Sequence, residues 1–230
     1  MRHNYLQNKN RAGLYRFSIV IWLIIVTSLM SIIGFIAFAI PQGIDYLALK
    51  PASILQGKYL WTLITHIFVH GGIFHLFINM FVLFSLGSLS EKIIGRKRFL
   101  WFYILSGLFA GILSAILAGF YGNTPLGARI FGSPDIYMVG ASGAIFAIAG
   151  LFVVLLPKLR FMIIFLPFFS LPAYIMVPLV LLVTWLATIA ANFPIGNVAH
   201  LGGFLVGLLY GLYLKTKYKR KVKMLQKMFR

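Results

Sequence analysis

The sequence predicts an all-α polytopic membrane protein: a bundle of six transmembrane helices with both termini cytoplasmic. Three observations carry this. Of 230 residues, 61% are hydrophobic and only 10% charged, with mean hydropathy +0.95. A soluble domain averages about 45–50% apolar and about 25% charged, so this chain lacks the polar surface to coat a water-soluble globule. Six apolar runs approach the ~20 residues that a spanning helix needs. The 21 Lys and Arg face only three acidic residues, and they are distributed very unevenly along the chain.

The first span is expected over Phe17–Ile40. Ala37-Phe38-Ala39 has the look of a signal cleavage site, but the apolar run exceeds the about 7–15 residues of a signal core, which favours a retained helix. The second span covers Gly72–Leu89, the third Phe99–Phe120 and the fourth Val139–Leu156. The run Phe161–Ala191 is too long for one span and is broken by Pro167, Pro172 and Pro178. It divides into an irregular or interfacial Phe161–Leu171 and a fifth span, Pro172–Ala191. The sixth span is Asn197–Leu214. In domain terms, a short basic N-terminus (1–16) and a basic tail (215–230) flank one six-helix unit (17–214).

The basic residues then orient the bundle. Four lie in the N-terminus, four in the loop after the second span (Lys92, Arg96, Lys97, Arg98), two after the fourth (Lys158, Arg160) and eight in the tail. Only Lys50, Lys58 and Arg129 fall in the opposite loops. Lys and Arg mark cytoplasmic loops, so both termini are cytoplasmic. A charge of +18 would suggest nucleic acid in a soluble protein, but here no folded basic domain exists to carry it, and nucleic acid is not an expected partner. With no Cys, thiolate chemistry and Cys-based metal sites are excluded. The loop 41–71 is apolar enough to lie in the outer interface. The tail stripe Tyr218, Val222, Leu225 and Phe229 either rests on an anionic inner leaflet or belongs to a disordered topology anchor.

Polar groups inside a membrane are functional candidates. His75 and Asn79, four apart, share a face in the outer half of the second span. Ser142 and His200 fall in the first turns of the fourth and sixth spans, which also enter from outside. All four therefore sit at similar depth. Gly143, Ala147 and Gly150 form one stripe of small residues, and Gly203, Gly207 and Gly211 another. Such faces let membrane helices approach closely, which would carry the Ser142 hydroxyl towards the His200 imidazole, a nucleophile beside its base. The alternative is that the glycines only pack and Ser142 bonds back to its own helix. Gly87, near the cytoplasmic side, is expected to have no close neighbour. Of the three carboxylates, Glu91 lies across the bilayer, Asp45 is in the first outer loop, and Asp135 is more simply read as solvated than as a third catalytic member. The economical reading is a dyad, with oxyanion donors from the Ser142 backbone N–H at a helix start and from the side chains of His75 and Asn79.

These residues resemble the rhomboid family of intramembrane serine proteases. The motifs are Gly140-Ala141-Ser142-Gly143, Ala199-His200-Leu201-Gly202-Gly203 continuing to Gly207, the series His66, His70, His75 and Asn79, and Glu91-Lys92 followed by Gly95. The resemblance implies a rhomboid-like bundle in which Ser142 and His200 form the dyad and His75 and Asn79 assist the oxyanion. It implies cleavage of transmembrane protein substrates near the outer face of a cell membrane, in contact with lipid, without metal or organic cofactor. Two positions depart from the family pattern: Thr62 follows Trp61 where many members have Arg, and Phe146 stands where a Tyr often stacks near the His. His66 and His70 are read as hydrogen-bonded loop anchors in preference to metal ligands. The alternatives are a catalytically silent relative that binds transmembrane helices, and a His-lined channel or transporter.

Overall fold

The computed structural model describes residues 18–163, 166–191 and 195–229. The N-terminal segment 1–16, with its four basic residues, lies outside the described residues. In chain order the elements are α1 (Ile19–Phe38), a 39–72 segment containing the short helices α2 (Pro51–Leu55) and α3 (Thr62–Thr65), and α4 (Ile73–Ile94). Then come α5 (Arg96–Tyr121), α6 (Pro125–Phe131), α7 (Ser142–Leu155), the hairpin β1 (Arg160–Ile163) and β2 (Leu166–Pro172), α8 (Ala173–Ala191), α9 (Asn197–Lys217) and α10 (Lys219–Met228).

Among the described residues, five helices are long and apolar enough to cross a membrane: α1, α4, α5, α8 and α9. The expected fourth span, Val139–Leu156, is helical only over the 14 residues Ser142–Leu155, or about 21 Å. Val139 and Gly140 are instead non-helical, and Gly140 has φ 126°, a conformation that favours glycine. The lead-in to Ser142 is thereby held out of the helix. The short α7 is the centre of the bundle. Ala147, Ile148, Leu151 and Phe152 are fully buried, because α5 and α9 pack directly on it. The outer helices turn large apolar side chains outward, among them Leu29, Ile36, Phe77, Phe84, Leu182 and Leu186. That is the surface expected of helices against lipid.

The described residues of the run Phe161–Leu171 are extended, where an irregular or interfacial segment was expected. They form the antiparallel hairpin, with Phe161 opposite Leu171 and Met162 opposite Ser170. Pro167 is compatible with this, because a two-stranded sheet consists of edge strands only, and proline is tolerated there. The tail also departs from both expectations. It folds into α10, whose Val222 is buried while Tyr218, Leu225 and Phe229 pack against the main core. Gln226 Nε2 donates to the Leu155 carbonyl at 3.1 Å, satisfying one of the unpaired acceptors at the end of α7.

The opposite end of α4 caps another helix. Glu91, almost fully buried, accepts from the Ser18 hydroxyl and from the backbone N–H of Ile19 and Val20, both at 3.0 Å. These are orphan donors at the start of α1, and Arg96 Nε lies 3.6 Å from the same carboxylate. Gly95, at φ 87°, then turns the chain directly into α5. Glu91→Ala strips the Ser18 hydroxyl and the Ile19 N–H of this acceptor and leaves the Val20 N–H with the Ser18 hydroxyl oxygen alone. It is expected to lower unfolding stability in detergent by about 2–4 kcal/mol, with Glu91→Gln intermediate. Denaturant unfolding followed by Trp fluorescence measures this, and an Ala variant as stable as the parent would show that the cap is energetically idle.

Candidate active site

The two small-residue stripes meet. A Cβ on Gly203 would collide with the carbonyl oxygen of Gly143, and one on Gly207 with the carbonyl of Ala147. Helices α7 and α9 therefore touch backbone to backbone over two turns, as small-xxx-small faces allow. Gly87 is not open, contrary to expectation. An added Cβ there would press on Leu83, Val20 and Phe99 at 3.0–3.3 Å, because the start of α1 and the first turn of α5 close over it.

At the top of the α7–α9 seam, Ser142 Oγ and His200 Nε2 lie 2.8 Å apart. Phe146, one turn along α7, stacks on the His200 ring with centroids 4.4 Å apart and planes 21° from parallel. A phenyl ring supplies the stacking, without a hydroxyl to donate. Ser142 is the first residue of α7, so its backbone N–H has no carbonyl one turn earlier to bond. His75 stands across Gly140 from the serine. A Cβ on Gly140 would meet His75 Cε1 at 2.9 Å and Ser142 Oγ at 3.8 Å. Asn79 is buried on the same face of α4, where its Nδ2 donates to the His75 carbonyl at 2.9 Å, leaving one amide N–H uncommitted. Ser142, His200, His75 and Asn79 line one groove, which runs between α4 and α8 towards the hairpin.

Asp135 is not at this site. Its side chain is 75% exposed and pairs with Lys50 at 3.6 Å.

The 39–72 segment holds the approach to Ser142 in place. Leu49 and Met138 exchange backbone hydrogen bonds, and Ala52 N–H donates to the Pro134 carbonyl at 2.9 Å. Tyr137 donates its hydroxyl to Asp45, a bond that pushes the phenol up to about 12. Thr62, where an arginine was the commoner expectation, is fully buried and donates to the Tyr59 carbonyl at 2.7 Å. Trp61 donates to the Tyr46 carbonyl at 3.0 Å and Thr65 to the Leu47 carbonyl at 2.8 Å. The segment is thus ordered by short local bonds without a guanidinium. Beneath it, α5 presents Gly107, Gly111 and Gly119, which make room for Ile67, His66 and Leu55. The spacing of this third glycine stripe is legible in the sequence, but its partner is the 39–72 segment, which carries no matching stripe.

His66 and His70 are both hydrogen-bonded within this arrangement. His66 Nδ1 donates to the Thr62 carbonyl at 2.8 Å, and its own carbonyl accepts from Gly140 N–H at 2.9 Å. Ala141 N–H donates to His70 Nε2 at 3.4 Å, so His70 Nδ1 carries the proton and donates to Ser31 Oγ at 3.1 Å. Burial pulls His66 down to about 4, against the opposing pull of the Thr62 bond. Burial, with His75 nearby, pulls His70 down to about 3. Both rings are therefore neutral at neutral pH. A histidine depressed below its ordinary ~6.5 contributes stability that is present above that value and lost as pH falls towards the folded-state value. Thermal melting is expected to be flat above pH ~6.5 and to fall between there and pH ~4, with a shallower fall in His70→Asn. Equal pH slopes in the two proteins would remove His70 from the account.

The Rhomboid domain model matches residues 57–217 of this chain, taking in every motif described above. The chain is 31% identical over 162 residues to RHOMBOID-like protein 4 of Arabidopsis thaliana, covering 70% of this chain and 36% of that protein. It is 32% identical over 173 residues to the mitochondrial RHOMBOID-like protein 6 of the same plant, covering 73% and 48%. To the human mitochondrial presenilin-associated rhomboid-like protein it is 29% identical over 174 residues, covering 74% and 41%. It spans less than half the length of each of these relatives. With the domain match over most of the chain and helices fit to cross a bilayer, this is a multi-pass membrane protein, and it belongs to the rhomboid family.

Proposed function

We propose that the chain is an intramembrane serine endopeptidase that cleaves transmembrane segments of other membrane proteins. The observation that carries this is the 2.8 Å contact between Ser142 Oγ and His200 Nε2 beside a groove that opens between two helices facing lipid. In this reading α7 is a sixth, shortened span, both termini are cytoplasmic, and the groove opens to the extracytoplasmic side of a cell membrane. A substrate helix enters from the lipid between α4 and α8 and unwinds against the lead-in to Ser142.

The chemistry balances without a cofactor. His200 Nε2 takes the Ser142 hydroxyl proton as Oγ attacks the scissile carbonyl. The oxyanion is met by the Ser142 backbone N–H, the free amide N–H of Asn79 and the His75 ring. The imidazolium then protonates the departing amine, leaving an acyl-serine. His200 next deprotonates a water that attacks the ester, and the proton returns to Ser142 as the acid leaves.

The direct test is labelling of the purified protein by a serine-directed fluorophosphonate, with Ser142→Ala as the blank. Labelling confined to the parent protein is expected. Absence of labelling and of cleavage in a folded protein would leave the silent helix-binding relative as the reading. Asn79→Ala is expected to lower turnover of a model transmembrane substrate by about 10²–10³ while leaving measurable activity, because other donors remain. Unchanged turnover would make Asn79 a packing residue.

A further inference from the structure

Asn197 opens α9 three residues before His200, and residues three apart on a helix are neighbours on its surface. Both side chains are buried, Asn197 at 3% exposure and His200 at 9%. The amide of Asn197 has only one sensible orientation. Thr188, on α8, donates its hydroxyl to the Thr184 carbonyl at 3.0 Å, so its oxygen is left to accept. Asn197 Nδ2 lies 2.8 Å from that oxygen and 3.5 Å from the Thr184 carbonyl. Turned over, the amide would set its own oxygen against a carbonyl and a hydroxyl whose proton is already used. Asn197 Oδ1 therefore faces away from α8. It is fully buried and has no hydrogen-bond partner among the described residues.

His200 Nδ1 is in the same condition, buried and without a partner among the described residues. A histidine that accepts the serine proton at Nε2 must carry its own proton at Nδ1. An unpartnered acceptor and an unpartnered donor thus sit one turn apart on the same helix, each costly to leave unmade.

We propose that Asn197 is a positioning residue for His200: its Oδ1 accepts the Nδ1–H through one water, and Thr188 holds the amide in the orientation that makes this possible. This rests on the Ser142–His200 reading. The acceptor fixes the tautomer in which Nε2 is free, and it stabilises the imidazolium as Nε2 gains its proton. The general logic is that of any group that orients a catalytic imidazole, here supplied by a neutral amide that brings no second charge into an apolar interior. It also ties the base to α8, which forms one wall of the groove.

The test uses the full chain in detergent, with cleavage of a model transmembrane substrate, inactivation by a fluorophosphonate, and ¹⁵N NMR of the labelled histidine rings. Asn197→Ala is expected to lose about 10–100-fold in kcat, the usual effect of removing a hydrogen-bond partner that orients a histidine, with KM little changed and the His200 Nδ1–H tautomer signal weakened. Thr188→Val, which removes the holder and keeps the acceptor, should lose less, and Asn197→Asp should retain the tautomer signal. Equal, non-additive losses in Asn197→Ala and Thr188→Val would show that Asn197 only ties α8 to α9 and would overturn the proposal, as would wild-type kcat in Asn197→Ala. If Asn197→Ala does not fold, the Asn197→Asp spectrum decides: a retained Nδ1–H signal supports the proposal and a lost one overturns it. Labelling of Ser142→Ala at the parent rate would instead sink the dyad reading itself, so the two failures are distinguishable.

Discussion

Ser142→Ala and His200→Ala should each lower cleavage of a model transmembrane substrate by about 10⁴-fold or more, and the double variant should be no worse than either. The reason is geometric. With 2.8 Å between Oγ and Nε2, the proposed nucleophile and base would act as one unit, so removing either would leave the other without a task. Residual rate would come from binding and the oxyanion donors alone. None of these losses should come from unfolding. Ser142 is the first residue of its helix, and the imidazole of His200 stacks on Phe146 at the end of the α7–α9 seam, above the backbone contacts of Gly203 and Gly207. Single-turnover cleavage alongside thermal melting separates the two causes. Substantial activity in either single variant, or additive losses in the double, would remove the dyad assignment.

Gly207→Leu should be damaging although it touches no reacting atom. A Cβ at this position already collides with the Ala147 carbonyl and presses on the backbone of Leu151, so a leucine must push α9 off α7. Overpacking costs about 1–3 kcal/mol, and displacing a base by about 1 Å can cost on the order of 10²-fold in rate. Both losses are expected, in Tm and in turnover per folded molecule. Gly87 cannot serve as the comparison, since it is itself enclosed by Val20 and Phe99. Leu209→Phe adds bulk to the same helix on its exposed face and should leave both quantities near those of the parent. If Gly207→Leu melts lower yet the folded fraction cuts at the parent rate, the stripe stabilises without aligning the site.

Much of this was legible in the sequence because membrane burial leaves so few polar groups to choose among. Ser142, His200, His75 and Asn79 could be set at one depth by span order alone, and the spacing of Gly203 and Gly207 announced a close contact. What was not legible depended on partners distant in sequence. Glu91 read as the end of a helix, since nothing in the chain says that its acceptors serve residues more than seventy positions earlier. Asn197 read as a helix start, because the role of its amide depends on Thr188 across a helix boundary. The hairpin hid behind Pro167, whose tolerance as an edge residue follows from the sheet having only two strands. The α7 boundary was missed because Val139 and Ala141 are as apolar as the helix that follows; only the backbone of Gly140 marks the break.

The cap on α1 bears on how the chain is made. Ile19 and Val20 leave the ribosome 71 and more residues before Glu91, the group that will accept from them. In that interval α1 is apolar enough to enter a bilayer by itself; its Val20 N–H is met locally by the Ser18 hydroxyl oxygen, while the Ile19 N–H is left to water or lipid headgroups. Its cap is complete only when the far end of α4 has been synthesised and brought alongside. Insertion of the first helix and completion of its cap are therefore separate events in the life of the nascent chain, and the second waits on a single carboxylate.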